Sequence, residues 1–534
     1  MKKLLTIVLM MTALSSCGES ASSNSSKTSS SSNKNISSSL IIDSSSKITS
    51  NKDSSIISSS SNITLLGEVQ RVSASTYVDE HQYKGYTYAA FPSYSEASWN
   101  TSLKFTLSAD GTYYIVSDYL GADRLLNKNT LIIPAYYNGL PVEEIAQAAE
   151  GIGAFSELTW LENVYLPHTI KRIGYGSFSL SSIKNLYIDC AELEDFDGRN
   201  WVFYPPLDPS YEGMNVYFGP NVKRIPQRLF FPNVTEPDFA CKIKNVFFTQ
   251  NSKVESIGAH AFHDVVTLKS ISLPSTIKEI GEFAFYKTSI TELTLPSSLT
   301  SIANDAFAFS TLVNVKINDK LEYIGDRAFS YTHLEGLDLS NTKLEVIEDE
   351  CFAYTSLNKG IAFPETLKDI GERAFLNSKI KDLIIPNNAE IIRDKAFSNG
   401  ELERVYLGTS LKEIGNYAFY NNDKLESLEI ASVSIKDFKL GNHIFTNAGK
   451  EKGMQVYFLD GVTTLPANMF FATSNIDELP VINVLSLPAS LISINDKAFY
   501  TLDIERVNYR GTLEQYELLD CEFTNLDIGG RVYA

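Results

Sequence analysis

The stretch LKSISLPSTIKEIGEFAFYKTS (268–289) is followed without a break by ITELTLPSSLTSIANDAFAFST (290–311) and LVNVKINDKLEYIGDRAFSYTH (312–333). The three segments repeat one pattern: a leucine-type run, a turn, an isoleucine, and a phenylalanine near the end. Working outward, the phenylalanine recurs at Phe262, Phe285, Phe307, Phe329, Phe352, Phe375, Phe397 and Phe419, every 22 or 23 residues. The series extends to Phe155, Phe178, Phe203 and Phe230 on one side and Phe445, Phe470 and Phe499 on the other. A fixed period in the twenties with leucine-type positions inside it is the mark of a solenoid of stacked coils. The fold class expected is therefore a leucine-rich-repeat solenoid of about fifteen coils, with a parallel β-sheet on one face and short strands, turns and 3-10 segments on the other.

Within the first quoted segment, Leu268, Ile271 and Leu273 have the spacing of inward positions on a short strand. Pro274 then ends the strand, having no amide to donate. Ile280 and Phe285 are expected to fill the remaining core, with Gly281 at a tight bend between them. Two irregular intervals mark insertions, at 191–212 and 446–453, and their surroundings match. DFDGRNWVF (195–203) parallels DFKLGNHIF (437–445), and GMNVYFGPNVKRIPQRLFF (213–231) parallels GMQVYFLDGVTTLPANMFF (453–471). An older duplication of a larger block accounts for both.

The ends need caps, because an open coil exposes apolar surface and unpaired backbone. LKFTLSADGTYYIV (103–116) reads as a hairpin turning at Ala109-Asp110-Gly111, leading into a non-standard coil, LIIPAYYNGLPVEEI (131–145). At the far end VNYRGTLEQYELL (507–519) breaks the period. The domain reading is a signal peptide (1–16), a tether (17–62), an N-terminal region and cap (63–130), the solenoid (131–509) and a C-terminal cap (510–534). Residues 63–102 are expected to fold against the N-terminal cap.

The first residues, MKKLLTIVLMMTALSSCGES, carry two lysines, an apolar run and then small residues. That is the layout of a secretory signal, too short for a stable membrane span. Leu14-Ser15-Ser16-Cys17 resembles the bacterial lipobox, which makes Cys17 the expected lipidated residue and the membrane a partner through that anchor. Serine then supplies 22 of the 42 residues from Ser20 to Ser61, a composition unable to offset its ordering entropy and expected to act as a flexible tether.

The formal net charge of −18 argues against a nucleic-acid partner, since phosphate binding needs a basic stripe, and none is expected. No H-E-x-x-H, G-x-S-x-G or P-loop occurs, and no repeat carries the nonapeptide of calcium-binding solenoids. The expectation is a non-enzymatic protein without cofactor or metal. His260 and His263 flank Phe262 and are the one close histidine pair, read as coil surface. Cys351 replaces the small residue before its phenylalanine, and Cys190 and Cys241 lie two rungs apart. Free thiols are expected.

Strand residues alternate inward and outward. The outward columns of four rungs are Asn163 with Tyr165, Asn185 with Tyr187, Asn215 with Tyr217, and Asn245 with Phe247. Two readings stand side by side. The rings and amides can stack between rungs and stabilise the sheet. They can also form a platform for sugar rings or an extended peptide, rigid aromatics giving contact area at low entropic cost.

The unit L-x-x-I-x-L-P-x-x-[IL]-x-x-I-G-x-x-A-F resembles that of the BspA-like leucine-rich-repeat family of bacterial surface proteins, over about residues 103–520. FTLSADGTYYIV, IPAYYNGLPVEEI and YRGTLEQY are similar to segments at the ends of that family's arrays. The resemblance implies a recognition module on the outer face of a bacterial cell, with an extracellular protein, a glycan or another bacterium as partner. A ligand-capture lipoprotein serving a transporter or glycan-utilisation system is the alternative.

Overall fold

The computed structural model describes residues 81–83, 86–88, 103–119, 129–147, 153–197, 200–231, 240–471, 475–500, 502–521 and 532–533. All belong to a unit spanning Ser59–Ala534. The expected signal sequence, Cys17 and the serine-rich segment expected to act as a tether lie outside the described residues, as does most of 63–102.

Most rungs cross two parallel ladders. The first runs as a five-stranded sheet through Thr130–Ile132, Asn163–Leu166, Asn185–Ile188, Met214–Phe218 and Ile243–Phe248, each strand beside its successor. It resumes as a seven-stranded sheet from Asp382–Ile384 to Val532–Tyr533. Between them are two isolated pairs, Glu292–Thr294 with Asn314–Lys316 and Leu337–Asp338 with Ile361–Ala362. The second ladder is built mostly of two-residue strands ending in the isoleucine or leucine before a core phenylalanine, for example Ser256–Ile257, Glu279–Ile280, Ser301–Ile302 and Tyr323–Ile324. Consecutive coils in register give this architecture because neither apolar face of a coil is covered until the next one stacks on it.

The segment at 268–273 forms no paired strand. Leu268 and Ile271 are buried as expected, but the Thr267 hydroxyl bonds both N and O of Ile243 at 2.9 Å. A side chain there engages backbone groups at the foot of the preceding strand, and the first sheet stops. Gly281 also differs from its expected role. A Cβ on it would lie 2.7 Å from the Ala259 nitrogen, so glycine is needed for the approach of the previous rung rather than for a bend.

The fifteen phenylalanines form one unbroken column from Phe155 to Phe499, neighbouring ring centroids 5.1–5.6 Å apart and every ring buried. The turn that carries each ring has its own backbone logic. Around Phe285, the amides of Phe283, Phe285 and Lys287 donate to the next rung (Asn304, Ala306 and Ala308 carbonyls). Those of Ala284, Tyr286 and Thr288 bond back to Gly281, Phe283 and Phe285. Alternate amides thus point along the axis and around the turn. Residues two before and two after the phenylalanine are left-handed, as in Phe283 (φ 52°) and Lys287 (φ 55°), and this repeats in every turn from Phe262 to Phe445.

The duplicated blocks keep the same hydrogen bonds. Asp195 accepts from the Gln227 amide (2.8 Å) as Asp437 does from that of Ala467 (2.7 Å). Asn200 donates to the Arg228 carbonyl (2.6 Å) as Asn442 does to that of Asn468 (2.9 Å). Even the strand irregularity recurs, at Met214/Asn215 and Met454/Gln455. At the N-terminal end Leu103–Leu107 and Tyr114–Tyr119 form the antiparallel hairpin, with Gly111 at φ 73° in its turn. At the other end a capped helix, Leu513–Glu517, precedes Asp520–Cys521 and Val532–Tyr533, which add one strand to each ladder.

Candidate recognition surfaces

The strand-face ladder read from the sequence is present as geometry. Asn185 donates to Asn163 (2.9 Å), Asn215 to Asn185 (3.1 Å) and Asn245 to Asn215 (2.9 Å). Tyr165, Tyr187, Tyr217 and Phe247 stack at 4.2, 4.5 and 4.9 Å. It is not an open platform. Tyr165, Tyr187 and Tyr217 are only 4, 1 and 2% exposed, and Phe247 at the end of the row is half-buried. Pointing away from the core is a matter of strand alternation, whereas access depends on what else lies against the face.

A second aromatic ladder, not singled out in the sequence, lies on the turns. Phe309, Tyr331 and Tyr354 each sit two residues after a core phenylalanine, stacked at 4.5 and 4.2 Å with interplanar angles of 7° and 9°. They are 45, 43 and 40% exposed. All three are left-handed, at φ 59°, 57° and 59°. Further along, the same column holds Asn377, Asn399, Asn421 and Asn447, also left-handed, with Asn421 donating to Asn399 (2.9 Å) and Asn447 to Asn421 (2.7 Å). Burial, then the hydrogen bond to Tyr354, raises the Tyr331 hydroxyl pKa, and the Glu350 carboxylate adds to this. The left-handed residues before the core rings supply charge pairs beside the ridge. Arg327 grips Asp305 through Nε (3.0 Å) and Nη2 (2.9 Å), and Arg373 reaches Glu350 (3.0 Å). The signal was legible as AFAF, AFSY and CFAY at 306–309, 328–331 and 351–354.

The histidine pair is not plain coil surface. His260 and His263 meet Nδ1 to Nδ1 at 2.8 Å, and His260 stacks between Phe231 (5.4 Å) and Phe283 (4.9 Å). Desolvation lowers His260 to about 4 and His263 to about 3, helped by Arg228 on both and by Lys287 on His263. Among the described residues no group of three or more His, Cys, Asp or Glu side chains is placed to hold a metal. Cys190, Cys241 and Cys351 are unbridged and buried, as expected, and desolvation raises all three thiols. The Cys521 side chain lies outside the described residues. No helix among the described residues is long and apolar enough to cross a membrane.

In-register parallel rungs around one phenylalanine column define a leucine-rich-repeat solenoid. The BspA type leucine rich repeat region matches residues 145–204, 238–358 and 345–477 in six copies, more than half of the chain, and the protein belongs to that family. Among solved structures it is similar to a leucine-rich repeat protein from Bacteroides ovatus ATCC 8483 (20% identity, 80% of this chain and 97% of that one, TM-score 0.45). It is also similar to a leucine rich cell surface protein from Faecalibacterium prausnitzii A2-165 (17%, 80% and 97%, TM-score 0.32). The pneumococcal vaccine antigen PcpA is a third (18%, 81% and 97%, TM-score 0.36). No curated protein matches the chain.

Proposed function

We propose that this protein is a bacterial cell-surface lipoprotein, held through Cys17, whose solenoid recognises macromolecules outside the cell and acts in adhesion without catalysis. Family membership supports a recognition scaffold, and the lipobox-like LSSC at 14–17 followed by the serine-rich tether supports anchorage and reach. The observation that carries the reading is the exposed row Phe309, Tyr331 and Tyr354: a rigid stack of rings left open, in contrast to the buried core phenylalanine column. Binding would come from many small contacts along one stiff body, which multiply when the body is tethered near its target.

Cells expressing the chain, or its Cys17→Ala variant, would be tested for radiolabelled palmitate incorporation and for adhesion to immobilised matrix proteins and glycans. Label on the parent chain alone, with adhesion that needs Cys17, is the expected result. Equal labelling of both chains, or adhesion no greater than that of cells lacking the protein, overturns the reading.

A further inference from the structure

We propose that the ridge of Phe309, Tyr331 and Tyr354, with the Arg327–Asp305 and Arg373–Glu350 pairs beside it, binds an uncharged polysaccharide chain. The proposal rests on the surface-recognition reading above and gives it a site and a ligand class.

The backbone supplies the first observation. A left-handed φ suits glycine and asparagine and is an outlier for bulky side chains. The same column carries Asn377, Asn399, Asn421 and Asn447 on the same turn, so a less strained residue demonstrably fits. Three consecutive rungs instead hold large rings at φ 57–59° and leave each about two-fifths exposed. The left-handed φ is common to every turn from Phe262 to Phe445, so what sets these three rungs apart is a large ring left exposed where later rungs carry asparagine. The rings are also ordered before any ligand arrives, locked at 4.2–4.5 Å and within 9° of parallel. Little ordering entropy is then lost on binding.

The chemistry of the ridge selects among ligands. Tyr331 has both faces against its neighbours, and Phe309 turns its other side to Tyr286 (5.4 Å, 60°). A cation needs an open ring face, which neither Phe309 nor Tyr331 offers, and the same closure leaves a ligand only the outward edges of these two rings. What it shows outward is ring edges, the positive part of the aromatic quadrupole, and the Tyr hydroxyls. The guanidinium groups of Arg327 and Arg373 are already balanced by Asp305 and Glu350, so an anionic polymer gains little there and meets a chain of net charge −18. Hydroxyl and ether oxygens meet the positive ring edges, and sugar hydroxyls can hydrogen-bond with the phenols and with the paired guanidinium and carboxylate groups. The rings extend over three consecutive rungs, so a polymer lying along the ridge can make several contacts at once.

The test is affinity electrophoresis of the full-length chain in native gels cast with dextran, galactomannan, xyloglucan or mixed-linkage β-glucan, with alginate as the anionic arm. The wild type should be retarded in at least one neutral gel, and the differences among gels report the linkage. Phe309→Asn/Tyr331→Asn/Tyr354→Asn should weaken retardation by about tenfold or more. It should unfold no earlier than wild type, since asparagine suits the left-handed turn. Tyr331→Phe/Tyr354→Phe keeps the stack, removes the hydroxyls and should also weaken retardation. Its result decides the matter if the asparagine triple fails to fold. No retardation in any neutral gel, retardation in alginate alone, or retardation unchanged in both variants overturns the proposal. Unchanged retardation leaves the surface-recognition reading standing, whereas silent gels together with failed cell adhesion remove both.

Discussion

Phe329→Ala tests whether the ring column holds the solenoid together locally. Phe329 is fully buried between Phe307 (5.3 Å, 7°) and Phe352 (5.6 Å, 7°). Truncating a buried phenylalanine costs about 3–5 kcal/mol, the spread reflecting how far the site collapses around the cavity. Collapse is hindered here, because the amides of Arg327, Phe329 and Tyr331 are bonded to the Asp349, Cys351 and Ala353 carbonyls at 2.9–3.0 Å. Two stacked contacts, each about 0.5–1.5 kcal/mol beyond area burial, are lost as well. The expected loss is therefore in the upper half of the range. In a quasi-linear array each rung depends on its neighbours, so damage should stay near its origin. Native-state hydrogen exchange of the full-length chain, read by mass spectrometry, should show faster opening across rungs 307–375 and unchanged protection near Phe178 and Phe470. Uniform loss of protection from end to end, or none anywhere, would refute a column that acts rung by rung.

Three further outcomes follow from particular side chains. The His260–His263 pair stays neutral in the folded chain below the pH at which free histidine gains its proton, so stability is whole above about pH 6.5 and falls as acid protonates the unfolded chain. His263 alone should contribute a slope on the order of 1 kcal/mol per pH unit down to about pH 4, opposed at the acid end by Asp264, whose carboxyl burial raises. Urea midpoints between those limits should fall less steeply for His263→Gln, and parallel curves would be contrary. Asn200→Ala and Asn442→Ala each remove a buried amide bridging two rungs, with a loss of about 1–3 kcal/mol apiece in urea titrations and nearly equal because the sites are equivalent; a loss confined to one of them would break the equivalence. Cys190, Cys241 and Cys351 should resist iodoacetamide until denaturant is added, and stoichiometric labelling of the native chain would show that they are not sealed.

Much of this fold is written in the sequence because its strongest constraint, one large ring per rung, uses one residue type at one spacing. The hairpin at 103–119 and the paired insertions were legible for the same reason: turn residues and exact local matches carry them. The recognition surface was harder to read. Alternation along Asn163–Leu166 gives the direction of Tyr165 but not what covers it, and the ring is buried. The turn ladder is visible as a second aromatic after the core phenylalanine, but its left-handed backbone is hidden because Phe309, Tyr331 and Tyr354 stand there instead of glycine. Only the asparagines of later rungs betray the conformation, and only once the rungs are aligned on their phenylalanines. The need for Gly281 comes from close approach between rungs, a property of the stack that one repeat does not display.

The central claim is that, of the two aromatic ladders, the one on the turns is open and the one on the strands is closed. Tyrosine nitration of the native full-length chain, mapped by mass spectrometry, tests this without any ligand. Modification at Tyr331 and Tyr354 with protection of Tyr165, Tyr187 and Tyr217 is the predicted pattern. Modification of the strand-face tyrosines with protection of Tyr331 and Tyr354 would contradict it and return the recognition surface to the strands.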